Sequence, residues 1–96
     1  MTEMKEFEVF NEASNAVVVK HVGRNFPGLL IQGDTLKAFL DDMKELHEEV
    51  ENSDLESIKE ISENVQEKLV DLLSHYEKVL ETHGHELPYI GSVRTV

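Results

Sequence analysis

The stretch from Ser53 to Gly84 most constrains what this 96-residue chain can fold into. Apolar side chains recur there at Leu55, Ile58, Ile61, Val65, Leu69, Leu72, Leu73, Tyr76, Val79 and Leu80, the stripe of one long amphipathic helix. Ser53 and Glu56 have the spacing of a capping box at its start, and Gly84 supplies a stop. Roughly thirty residues at about 1.5 Å each make a rod of about 45 Å. A compact domain of this length has a radius of gyration of only about 12 Å. A few short strands cannot cover such a stripe, so the apolar surface from Val65 to Leu80 is expected to pack against another copy of the chain. A break near Ser62 to Asn64, with the helix folding back, is the competing possibility.

Upstream, Leu36, Phe39, Leu40, Met43, Leu46 and Val50 form a second helical stripe, with Asp34 or Thr35 as its cap and "ENS" (Glu51 to Ser53) as its end. Before it the period shortens. Phe7–Glu12, the β-branched Asn15–Val22 and the apolar Gly28–Gln32 read as strands, with Gly23, Pro27 and Gly28 supplying turn chemistry. The expected fold is α+β: a three-stranded antiparallel β-meander followed by two long α-helices, oligomerising through the second helix. One domain covers residues 1–96, with the meander in 1–33, helices in 34–52 and 53–84, and an irregular tail in 85–96 that contains Pro88 and Gly91.

Nine basic and twenty acidic side chains leave a net charge of −11. This excludes duplex nucleic acid, whose binding needs cationic contacts to phosphates. The acid is unevenly placed. Residues 1–33 carry three basic and four acidic groups, whereas 34–86 carry five and sixteen. The loop with Lys20, His21 and Arg24 is locally basic. The chain contains no cysteine, no apolar run approaching the ~18 residues of a membrane span, and no signal pattern in "MTEMKEFEVF". A soluble, intracellular, cytoplasmic protein with no membrane partner is expected.

The inventory for catalysis is thin. There is no cysteine nucleophile, nucleophile elbow or phosphate-binding loop motif. Carboxylates sit at helical spacings beside lysines, as in Glu56–Lys59 and Asp41–Lys44–Glu45, the habit of solvated helix faces. His83 and His85 flank Gly84 without a third ligand at fixed spacing, and His47 and His75 fall in separate helices. The expectation is a protein that is not an enzyme and holds neither metal nor cofactor.

The segment "RNFPGLLIQGDTL", Arg24 to Leu36, is chemically richer. Arg24 offers a planar fork of donors suited to phosphate. Phe26 and Tyr89 stand next to prolines and present ring faces on which a base can stack. Asp34 can accept two N–H donors, as on a guanine edge, and Gly33 with the amides of Asp34 to Leu36 forms a positive nest. The plainer reading makes Phe26 and Tyr89 core aromatics, Asp34 a helix cap and Gly33 a turn residue.

"NAVVVKHVGRNFPGLLIQGDTL" and "HGHELPY", residues 15–36 and 83–89, resemble a family of small bacterial and phage proteins with a G-R-x-F-P-G-x-x-I-Q-G-D-[ST]-L signature and a terminal H-G-x-x-L-P-Y. That family looks similar to the phage anti-CBASS sponges, which bind cyclic dinucleotides such as 3′,3′-cGAMP without cleaving them. The resemblance implies immune evasion by sequestration in a homo-oligomer, a tetramer, with Arg24, Phe26, Gln32, Asp34, Thr35 and Tyr89 as ligand-binding residues. Two further functions compete. One is an immunity or antitoxin-like protein whose acidic helices block a basic toxin or nuclease. The other is a small hydrolase acting on nucleotides.

Overall fold

A computed structural model describes residues 2–11 and 16–94. Three strands, β1 (Phe7–Val9), β2 (Ala16–His21) and β3 (Gly28–Ile31), form an antiparallel sheet in the order β1-β2-β3. Phe7 pairs with His21 across β1 and β2, and Val18 with Leu29 across β2 and β3. The ends of two expected strands, at Glu12 and Asn15, lie outside the described residues. The run of β-branched residues explains the central strand. Along β2, Ala16 and Val18 are buried while Val17 and Val19 are half-buried, the alternation that a sheet produces when one face is covered.

Two helices follow, α1 (Gly33–Glu51) and α2 (Leu55–Thr82). Both caps differ from expectation. The residue preceding α1 is Gln32, which makes no side-chain cap, and Asp34 lies inside the first turn with Oδ1 accepting from the Thr35 amide at 2.9 Å. Ser53 adopts a left-handed φ of 56° in the tight turn between the helices, so it cannot serve as cap. Asp54 takes that role, accepting from the Ser57 amide at 3.1 Å and the Ser57 hydroxyl at 3.0 Å. Those bonds from Ser57 hold the Asp54 carboxyl below its ordinary range.

The helix α2 runs unbroken through Ser62 to Asn64. Its 28 residues give a rod of about 42 Å, close to the longest dimension of the molecule, 47 Å. Gly84, at φ 70°, ends it in a Schellman motif: the Gly84 amide donates to the Glu81 carbonyl at 3.1 Å and the His85 amide to Leu80 at 2.9 Å.

The core sits where β2, the C-terminal half of α2 and the tail meet. Val18, Tyr76 and Leu80 are buried there, with Phe10, Leu29, Val79, Leu87 and Tyr89 packed around them. The C-terminal part of the long stripe thus finds its cover within its own chain. His75 and His83 tie the β1–β2 region to α2 through contacts of 3.0 Å to the Ala16 carbonyl and 2.8 Å to the Phe10 carbonyl, which require a proton on each Nε2. The helix α1 has no buried residue at all. It and the N-terminal half of α2 project as a hairpin, and the radius of gyration is 16.6 Å, well above the ~12 Å of a compact domain. No helix among the described residues is long and apolar enough to cross a membrane.

Candidate functional site

The segment from His21 to Gly28 turns tightly between β2 and β3. The Arg24 amide donates to the His21 carbonyl at 2.9 Å, and the Gly23 amide to His21 Nδ1 at 3.0 Å. A Cβ on residue 23 would approach the His21 ring to 3.2 Å, so any other residue there would push the imidazole aside by a few tenths of an ångström. The far side of the turn is anchored: the Tyr76 hydroxyl donates to the Pro27 carbonyl at 2.6 Å in a buried contact. Burial also pushes the Tyr76 phenol above its ordinary range.

This anchored turn forms one wall of an open cleft of about 410 Å³. Arg24 and Phe26 line it together with Phe7, His21 and Pro88. Phe26 and Phe7 are 45% and 51% exposed, enough ring surface for a ligand to cover. Phe7 and His21 meet edge to face, 5.2 Å between centroids. No carboxylate among the described residues lies within ion-pair distance of Arg24. With its Nδ1 accepting from Gly23, neutral His21 carries its proton on Nε2. The cleft therefore offers a cation, an N–H donor and three ring faces.

The remaining candidates lie elsewhere. Gln32, Asp34 and Thr35 follow the opposite end of β3, a strand of about 13 Å, and Thr35 borders a different hollow beside Phe39, Leu72 and His75. Tyr89 points inward, its hydroxyl donating to Glu77 at 2.8 Å. One chain thus groups Arg24 with Phe26 and leaves Gln32, Asp34, Thr35 and Tyr89 outside that cleft. Phe7, His21 and Pro88 join it through the pairing of Phe7 with His21 and the return of the tail over the turn. The strand register that would reveal the first pair is not encoded in local pattern.

Glu77 is a second unusual group, a fully buried carboxylate on α2. Burial alone would raise its pKa, but hydrogen bonds from Ser92, Tyr89, the Val93 amide and Arg94 outweigh it and bring the group to about 2. The Val93 amide donates at 3.1 Å and the Arg94 Nε at 3.4 Å, while the Arg94 guanidinium also holds Glu81 at 2.6 Å. Burial, aided by the Glu77 charge, pushes Tyr89 up to about 12. The expectation of solvated carboxylates fails here because Glu77 lies between Leu73 and Leu80 on the core side of α2, an interruption of the apolar stripe visible in the sequence.

A third feature fits that expectation. A groove of about 460 Å³ between α1 and α2 is edged by Asp42, Glu45, Glu49, Glu60, Glu67 and Asp71, with Lys68 bridging the helices to Asp42 at 2.9 Å. His83 and His85, the pair flanking Gly84, both pack on Phe10, at 4.7 and 5.2 Å between centroids.

Residues 2–89 match a family described as a family of unknown function (DUF6959). No curated protein and no solved structure matches the chain.

Proposed function

The chain belongs to the DUF6959 family, and we propose that it captures a small phosphorylated ligand carrying aromatic bases, a cyclic dinucleotide such as 3′,3′-cGAMP, and sequesters it without turnover. The observation that carries this reading is the Arg24 cleft: a guanidinium with no ion-pair partner among the described residues, beside exposed rings, in a chain of net charge −11. Its volume lies within the range of small-ligand sites. Arg24 takes a phosphate through its planar fork, Phe26 or Phe7 stacks on a base, and the His21 Nε2–H supplies a donor. Tyr76 keeps the turn in place by holding Pro27. Preorganisation of this kind lowers the cost of binding. The working form in this reading is a homo-oligomer, a tetramer, whose neighbours supply Gln32, Asp34 or Thr35 to complete a larger ligand.

Calorimetric titration with a panel of cyclic dinucleotides, followed by heat release and recovery of intact ligand, tests this. Arg24→Ala should remove a charge-assisted contact of about 1.5–3 kcal/mol, roughly a ten- to hundredfold loss of affinity, and Phe26→Ala about 1–3 kcal/mol of stacking. Unaltered affinity in both folded variants would remove the cleft from the function.

The acidic groove favours a second reading, an immunity-like protein that blocks a basic toxin or nuclease. Its mark is a protein partner whose binding falls steeply with salt and is lost on Glu60→Gln with Glu67→Gln, while Arg24→Ala leaves it intact.

A further inference from the structure

Among the described residues, every hydrogen bond that ties residues 86–94 to the rest of the chain ends on one of two carboxylates of α2. The buried Glu77 takes the Tyr89 and Ser92 hydroxyls, the Val93 amide and the Arg94 Nε. The exposed Glu81 takes Arg94 alone. All of these donors lie beyond Pro88, the residue through which the tail borders the Arg24 cleft. On either side of Pro88, Leu87 and Tyr89 pack against the core. The turn across the cleft has a matching tie, from the Tyr76 hydroxyl to the Pro27 carbonyl. Tyr76 and Glu77 are successive residues of α2, about 100° apart around the helix. One holds the turn and the next holds the tail.

We propose that Glu77 is a positioning residue of the Arg24 cleft: docking of the tail on its carboxylate sets the Pro88 wall, so that ligand capture and tail docking are coupled. The inference rests on the ligand-binding reading of that cleft. A segment without regular structure, held mainly through one carboxylate, opens at a lower free energy than the helix it docks on. With the tail open, the cleft keeps Arg24, His21 and its rings but loses a wall, and the ligand binds it less well. By linkage, a bound ligand then resists opening of the tail.

Amide hydrogen exchange of the wild-type protein, with 3′,3′-cGAMP as the probe, tests the coupling. Without the probe, the Val93 amide, bound to Glu77, should exchange faster than that of the fully buried Leu80. At a probe concentration about a hundred times Kd, exchange at Val93 should slow by about ten- to a hundredfold. In calorimetric titration Glu77→Gln should bind the probe about tenfold more weakly than wild type. Tyr89→Phe, which keeps the ring and removes one donor, should show a smaller loss in the same direction, with circular dichroism confirming that both variants fold. Exchange at Val93 that ignores a probe able to slow Leu80 means that the tail does not sense the cleft, and overturns the proposal. Val93 and Leu80 exchanging alike without the probe mean that the tail has no opening of its own. Full affinity in folded Glu77→Gln means that the Pro88 wall is dispensable. Either result overturns the coupling and leaves ligand binding standing. A wild type that binds no cyclic dinucleotide removes the ligand-binding reading, and this inference with it.

Discussion

Glu77 carries a formal charge into a place without water, and everything about the tail follows from satisfying it. Four donors from residues 89–94 converge on the carboxylate, so the tail is tied down despite having no regular structure. The linkage has a definite sign. The folded pKa of about 2 lies below the ordinary 4.5, so the stabilisation is present in full above 4.5 and is lost as pH falls from there toward 2. Glu77→Gln should lower stability by roughly 1–3 kcal/mol near neutrality, because one donor is left facing an amide NH₂. It should also flatten the acid limb of the thermal midpoint against pH. A variant whose acid limb matches wild type would show that Glu77 is not the group responsible. At the alkaline end Tyr89 behaves oppositely: its raised pKa makes its contribution complete below 10 and lost as pH rises toward 12. The aromatic-plus-proline logic that marks Tyr89 as a ligand platform cannot distinguish a ring facing out from one facing in. Its actual direction is set by the carboxylate twelve residues earlier, a contact no local pattern announces.

At the level of elements, the helices were legible because an apolar period of 3.6 is sustained over many residues, and the meander because β-branched and apolar runs are bounded by turn residues. The unbroken course of α2 follows from strong helix formers with no glycine or proline between Leu55 and Thr82. The caps were less legible. Ser53 and Asp54 are both good caps, and the choice falls to the turn, which needs a left-handed residue immediately before the cap. Serine at φ 56° is strained by about 1–2 kcal/mol. Ser53→Gly should relieve most of that. A gain of about 1 kcal/mol raises the melting temperature by about 4–8 °C in a domain of this size. A lower midpoint in Ser53→Gly would mean that the turn is not under strain. The site divides in the same way. Arg24 and Phe26 share one turn and were found together. Gln32, Asp34 and Thr35 share their motif but are carried away by β3, because a strand in between converts nearness in sequence into distance in space.

The whole molecule has too little interior for its length. Ala16, Val18, Pro27, Tyr76 and Leu80 are the buried apolar side chains among the described residues, all at one end, while the hairpin arm extends the molecule to 47 Å. Folding a chain of this size costs conformational entropy at about 1–2 kcal/mol per residue, and burial of apolar surface is the main term that offsets it. The exposed Leu36, Leu40, Met43 and Val50 are the obvious reserve. If association buries them, folding and assembly are linked, and the stability of the native state depends on protein concentration by mass action. Each tenfold rise in concentration then adds about 1.4 kcal/mol to the association term, and the thermal midpoint should climb by several degrees over a hundredfold range. Leu40→Glu should abolish that slope and settle at the low-concentration midpoint of wild type. Val18→Ala should behave differently, lowering the midpoint at every concentration while leaving the slope intact, because its side chain lies in the core of a single chain. A midpoint independent of concentration in wild type means that the small core and its neighbours suffice, and that the hairpin stands free in solution.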